Sequence, residues 1–206
     1  MPFQGEQHHN ICQALEIDVL CGFLLPLFTG TLRDSENYSY RKISMKNILV
    51  LGVGNILLGD EGIGVRIVEK LEQEYEFSEN VRLMDGGTLG IRLMEYIMDC
   101  DFLIVVDAVL NKHPPGTVYR LEGNDLRKSM AFKDSMHQAD LLETLTHCEL
   151  IGSRPESVII GIEPKEYEPW SEKLTFEVER KIDDLCKAVL DEISAAGGTF
   201  RLKQEG

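Results

Sequence analysis

The sequence predicts an α/β fold in which a mostly parallel, five-stranded sheet is covered by helices on both faces. Two observations predict it. From Met45 onward, short apolar runs alternate with amphipathic stretches of helical spacing, the signature of repeated strand–helix units. The strongest runs, Asn47–Val53 and "FLIVVDAV" at Phe102–Val109, are apolar almost throughout, as strands buried on both faces must be.

The elements follow in order. Asn47–Val53 is the first strand, and Gly64–Tyr75 follows as a helix with Val65, Ile67, Val68, Leu71 and Tyr75 on one side. Val81–Met84 is a short second strand running into "DGGT", and Leu89–Met98 is a second amphipathic helix. Phe102–Val109 is the third strand. "KHPPG" then forces a turn, because two prolines cannot continue a helix or a central strand. Thr117–Leu121 alternates like a strand with one wetter face. "SMHQADLLETL" reads as a helix with Ser135 as N-cap and Gln138 completing a capping box. Ser157–Ile162 is the fifth strand. Leu174–Ala195 closes the domain as a long helix with Val178, Ile182, Leu185, Val189 and Ile193 on its apolar side. Residues 197–206, "GGTFRLKQEG", read as a flexible tail.

The first 44 residues differ from the rest, with a polar start, one apolar patch and a Ser/Asn/Tyr-rich basic stretch. The patch, Val19–Gly30, is only 12 residues, too short to cross a bilayer as a helix. No Lys or Arg precedes it, whereas Glu6, Glu16 and Asp18 do, which argues against a signal peptide. The expectation is an upstream extension over 1–44, disordered or the product of a mis-assigned start, and a folded domain over 45–196. His8 and His9 fall in that extension and read as solvent-exposed and inert.

Composition excludes several functions. With 35 acidic against 21 basic residues the formal charge is −14, which lacks the cationic footprint of a general nucleic-acid binder. The same charge suits an anionic membrane surface poorly. The five cysteines (Cys12, Cys21, Cys100, Cys148, Cys186) are scattered and form no C-x-x-C, so they read as reduced thiols of a cytoplasmic protein.

"LVLGVGNILLGDEGIGVR" at Leu49–Arg66 has the outline of a phosphate-binding turn: strand, Gly-x-Gly, helix. The fingerprints fail in detail. A dinucleotide site needs a glycine where Leu57 stands, and a P-loop needs Lys where Asp60 follows Gly59. Two acids opening the helix would repel a phosphate. For Asp60 the simplest role is to cap the helix and complement its dipole.

In an open α/β sheet, ligands bind beyond the carboxyl ends of the strands. Glu61 lies just past strand one, Asp85 ends strand two and Asp107 ends strand three. Like charges crowded in a cleft are costly unless protonated, hydrogen-bonded or bound to a cation. His137, in the first turn of its helix, is the best histidine to join them. His113 precedes Pro-Pro and reads as exposed, and His147 lies near a helix C-terminus. Two carboxylates and an imidazole make an oxygen/nitrogen site for a borderline divalent metal, with coordination positions left open.

Taken together, "LGVGNILLGDEGIGVR", "LMDGGTLG", "LIVVDAV" and "SMHQ" resemble the hydrogenase maturation protease family over about Met45 to Ile193. The resemblance implies a three-layer α/β/α sandwich and an endopeptidase. Its implied substrate is the precursor of a nickel–iron hydrogenase large subunit, trimmed at the C-terminus. It assigns metal contact to Glu61, Asp107 and His137, and it matches Asp85 to the acid of the Asp-Gly-Gly-Thr motif. The metal it implies is nickel, already inserted in the precursor and presented by it, with no nucleotide required. The nucleophile stays open between water activated by Glu61 or Asp85 and water polarised by the metal. Two other readings use the same residues: a non-enzymatic nickel-binding maturation factor, and a nucleotide-binding domain whose glycine loop has drifted. Asn111–Gly116, Glu122–Asp134 and Pro164–Lys173 are the loops expected to set partner specificity.

Overall fold

The computed structural model describes residues 45–122, 136–166 and 171–204, the side chains of 136–140 excepted. All of these belong to one compact unit, Lys42–Gly206. The extension and the Ser135–Gln138 capping box lie outside the described residues.

The chain opens with strand β1 (Ile48–Val53), buried along its whole length, followed by a 3-10 turn (Gly59–Gly62) and helix α1 (Ile63–Glu74). Strand β2 (Tyr75–Phe77), strand β3 (Val81–Gly87), a 3-10 turn (Gly90–Leu93) and helix α2 (Met94–Met98) come next. Strand β4 (Phe102–Ala108), strand β5 (Val118–Glu122), helix α3 (Met136–Ile151) and strand β6 (Glu156–Ile162) complete the sheet. Two helices, α4 (Phe176–Glu179) and α5 (Ile182–Ala195), precede strand β7 (Phe200–Leu202).

The main sheet has the order β3-β1-β4-β6-β5. Its first four strands are mutually parallel, and β5 joins the edge antiparallel to β6. Strand alternation splits the core into two layers. Ile48, Val50, Ile104, Val106, Val158 and Ile160 meet α1 and α5 on one face. Leu49, Leu51, Leu103, Val105 and Ile159 meet α2 and α3 on the other. The three-layer α/β/α sandwich expected from the sequence is the observed fold. Side chains such as Ile63, Ile67, Leu103 and Leu145 are fully buried, each contributing about 1.5–3 kcal/mol of transfer free energy. Among the described residues, no helix is long and apolar enough to cross a membrane.

Four local expectations change. Tyr75 does not continue α1 but starts β2. The Leu89–Met98 helix begins as a 3-10 turn. The closing helix is split at Arg180–Lys181 into α4 and α5. The tail is the largest correction: Tyr75–Phe77 and Phe200–Leu202 pair as an antiparallel ribbon. Gly197 (φ 93) ends α5, with Gly197 N–H donating to the Ser194 carbonyl and Gly198 N–H to that of Ile193, a Schellman turn that aims the chain back at β2. Phe200 then packs edge-on against Tyr75, with ring centroids 5.6 Å apart.

Candidate functional site

The glycines of the first loop serve close backbone packing. A Cβ on Gly52 would lie 2.4 Å from the Gly64 carbonyl oxygen, and one on Gly64 would lie 2.1 Å from that of Val106. The start of α1 therefore rests directly on the backbones of β1 and β4. Gly54, at φ 130, would bring a Cβ to 1.8 Å from the Glu61 carbonyl oxygen. Asn55 shapes the turn between them by accepting the Leu57 N–H on Oδ1 at 3.0 Å. The loop folds back onto its own strand, and this accounts for its nucleotide-like outline.

Asp60 is a correction. It caps no helix: neither the 3-10 turn nor α1 has a side-chain cap. The residue is 0% exposed, and its carboxylate accepts the N–H groups of Lys165 (2.9 Å), Glu166 (3.1 Å) and Thr175 (2.7 Å), and the Thr175 hydroxyl (2.8 Å). The main chains reinforce the strap, with Gly59 N–H donating to the Ser171 carbonyl at 2.6 Å and Ser171 N–H to that of Leu57 at 3.1 Å. Burying a carboxylate is costly, and four donors at one group offset that cost. Asp60 fixes the turn that carries Glu61.

Glu61 is half-buried in this turn, which packs against β4. Asp107 is the penultimate residue of β4 and only 4% exposed. By strand alternation it shares the face of Val105 and Val109, residues of the α2–α3 layer. Neither acid lacks a partner within the fold. Asp85 is exposed at the end of β3 and accepts the Gly87 N–H at 2.8 Å, so its carboxylate shapes the Gly86–Gly87 turn. The register sets Gly52 opposite both Asp85 and Val106, which brings all three acids to the carboxyl edge of the sheet.

His137 is the second residue of α3, and its side chain lies outside the described residues. The helix ends at Ile151, shortly before β6 starts at the amino edge, and it packs on the 3-10 turn that follows β3. Its first turn therefore points toward the carboxyl edge. Among the described residues no three His, Cys, Asp or Glu side chains are grouped closely enough to hold a metal. His113 is exposed and lies edge-on to Tyr119 at 5.8 Å, and His147 is exposed with Nδ1 2.7 Å from the Glu143 carbonyl oxygen. Among the described residues, neither joins the acids in a group that could hold a metal.

The sequence reading missed Glu163. It follows β6 as Asp107 ends β4, is 4% exposed, and accepts the N–H groups of Asn111 and Lys112 and the Tyr119 hydroxyl. Burial first, and then that hydrogen bond, raise the Tyr119 phenol well above its usual range, so it stays a donor. The signal was available, since an acid directly after "VIIGI" is one more carboxylate at a strand end. Exposed Ile56, Leu57, Leu89 and Ile91 stand in the loops that follow β1 and β3, an apolar flank to the acids.

Residues 65–192 match the family described as hydrogenase maturation protease (HycI). The chain belongs to that family. It is 40% identical over 152 residues to the hydrogenase 2 maturation protease of Escherichia coli (strain K12), covering 73% of this chain and 92% of that protein. It is 36% identical over 160 residues to the hydrogenase expression/formation protein HupD of Thiocapsa roseopersicina, covering 77% and 72% respectively. In structure it resembles the hydrogenase maturating endopeptidase HybD from E. coli, with a TM-score of 0.73 at 38% identity, over 76% of this chain and 98% of that one. This hydrogenase maturation protease is thus an endopeptidase, and the readings as a non-enzymatic factor or a drifted nucleotide-binding domain give way to the enzyme.

Proposed function

We propose that this protease removes a C-terminal peptide from the precursor of a nickel–iron hydrogenase large subunit, in the cytoplasm and after nickel has been inserted. In this reading Glu61, Asp107 and His137 contact nickel held by the precursor, so the metal belongs to the substrate and the site reads whether insertion is complete. Nickel accepts mixed oxygen, nitrogen and sulfur ligands, which allows two proteins to share it. The observation that carries the reading is the placement of Glu61, Asp85 and Asp107 at the same carboxyl edge of the sheet. A cation is the guest that such an edge favours.

Hydrolysis needs a water whose proton is taken as its oxygen adds to the scissile carbonyl, and an acid that returns the proton to the leaving amine. A carboxylate can do both in turn. Glu61 is assigned the first role, and Asp85, tied to the Gly86–Gly87 turn, supports it. The apolar flank of Ile56, Leu57, Leu89 and Ile91 offers contacts for a peptide lying across the edge. Residues 45–196 carry the activity in this reading.

The test is single replacement. Glu61→Gln, Asp107→Asn and His137→Ala, assayed on nickel-loaded precursor by the mass of its C-terminus, are each expected to lower the rate by about 100-fold or more. Full activity in any one removes that residue from the site.

A further inference from the structure

The segment that leaves Asp107 is fixed by a residue far away in sequence. Both oxygens of Glu163 accept the Asn111 N–H, at 3.1 and 2.9 Å, and Oε1 also accepts the Lys112 N–H at 3.0 Å. The Glu163 main chain closes the other end of the same loop. Its N–H donates to the Thr117 carbonyl at 2.8 Å, and its carbonyl accepts the Gly116 N–H at 2.8 Å. At the base of the loop Val109 N–H donates to the Ile162 carbonyl at 2.8 Å. One buried residue therefore bonds both ends of the 110–116 loop.

The held conformation is a strained one. Lys112 sits at φ 61, the only non-glycine residue in the left-handed region among those described. Such a backbone persists only where its surroundings over-determine it, and it concentrates at functional sites. The loop presents Lys112, His113, Pro114 and Pro115 to solvent, starting three residues beyond Asp107. A buried acid that merely satisfied amides would not require its loop to stay strained and exposed at the edge that carries the acids.

We propose that Glu163 is a positioning residue for substrate recognition: by bonding Asn111 and Lys112 it holds the 110–116 loop in the conformation that docks the hydrogenase precursor beside Asp107. This rests on the carboxyl edge being the cleft, as argued under Proposed function.

The test uses the full chain with nickel-loaded precursor, and reads kcat, KM, the thermal midpoint and hydrogen exchange at the Asn111 and Lys112 amides. Glu163→Ala is expected to raise KM and amide exchange by about tenfold, the loss of hydrogen bonds to a charged group, while kcat stays within about twofold. Glu163→Gln keeps an acceptor for the two amides and a polar partner for Tyr119, and restores both readings. In the double variant Glu163→Ala/Lys112→Gly, glycine relieves the backbone strain, so the thermal midpoint recovers in part while KM stays high. If Glu163→Ala does not fold, Tyr119→Phe takes its place, with a KM rise of about threefold and faster exchange expected. Unchanged exchange, unchanged KM, or a KM that recovers with the thermal midpoint overturns the inference. A wild-type chain that leaves the precursor uncut, or a Glu61→Gln variant that cleaves fully, overturns the site reading instead.

Discussion

Asp60 and Glu61 are adjacent carboxylates with different tasks, and burial separates them. Asp60 is sealed under a strap of four donors, while Glu61 stays half-open at the sheet edge. Asp60→Ala leaves three backbone N–H groups without an acceptor, and an equilibrium denaturation is expected to show a loss of about 3 kcal/mol or more. A loss under about 0.5 kcal/mol would contradict the strap. The sequence could not reveal this role, because the donors lie 105 to 115 residues downstream. The cap was the nearest local explanation and it was wrong. Two thiols, half-buried Cys100 and buried Cys186, make a second prediction. Burial first, and then Asp101 and Asp99, push Cys100 up to about 12, and burial pushes Cys186 up to about 11. At pH 8 both stay protonated, so peptide mapping after native-state alkylation is expected to find them unlabelled until the chain is unfolded. The unfolded chain releases these protons from the ordinary value of 9.0 upward. Stability should therefore fall as pH rises from there toward the folded values.

At the scale of elements, the junction of β1 with α1 is the tightest part of the fold. Gly64→Ala would push a Cβ into the Val106 and Val53 carbonyl oxygens, at 2.1 and 2.3 Å, with no flexible side chain to give way. The expected result is a loss of about 3 kcal/mol or more, or failure to fold, whereas Gly152→Ala, with open space around it, costs only its backbone strain, about 1 kcal/mol. Equal effects of the two substitutions would refute the packing account of the glycine loop. The long elements were legible in the sequence, because continuous apolar runs and helical spacing report burial directly. The ribbon of β2 and β7 was not. Each strand has three residues, shows one half-buried face, and finds its partner across the length of the domain. Nothing local distinguishes "TFRL" from a frayed end.

For the whole molecule, the decisive feature is which side of the sheet collects acids. Three strand-end carboxylates were readable from sequence by one rule, that ligands meet α/β sheets at their carboxyl edge. Glu163 obeys the same rule, but its partners in the 110–116 loop become visible only once β4 and β6 are paired. A chain of charge −14 that places Glu61, Asp85 and Asp107 at one edge favours a cation there over a phosphate. In the proposed function this edge reads nickel in the precursor before cutting. The direct measurement incubates the full chain with matched nickel-loaded and nickel-free precursor and follows the mass of the precursor's C-terminal fragment. Loss of a C-terminal peptide is expected from the loaded precursor alone. Equal trimming of both, or binding of the loaded precursor without loss of mass, would contradict it.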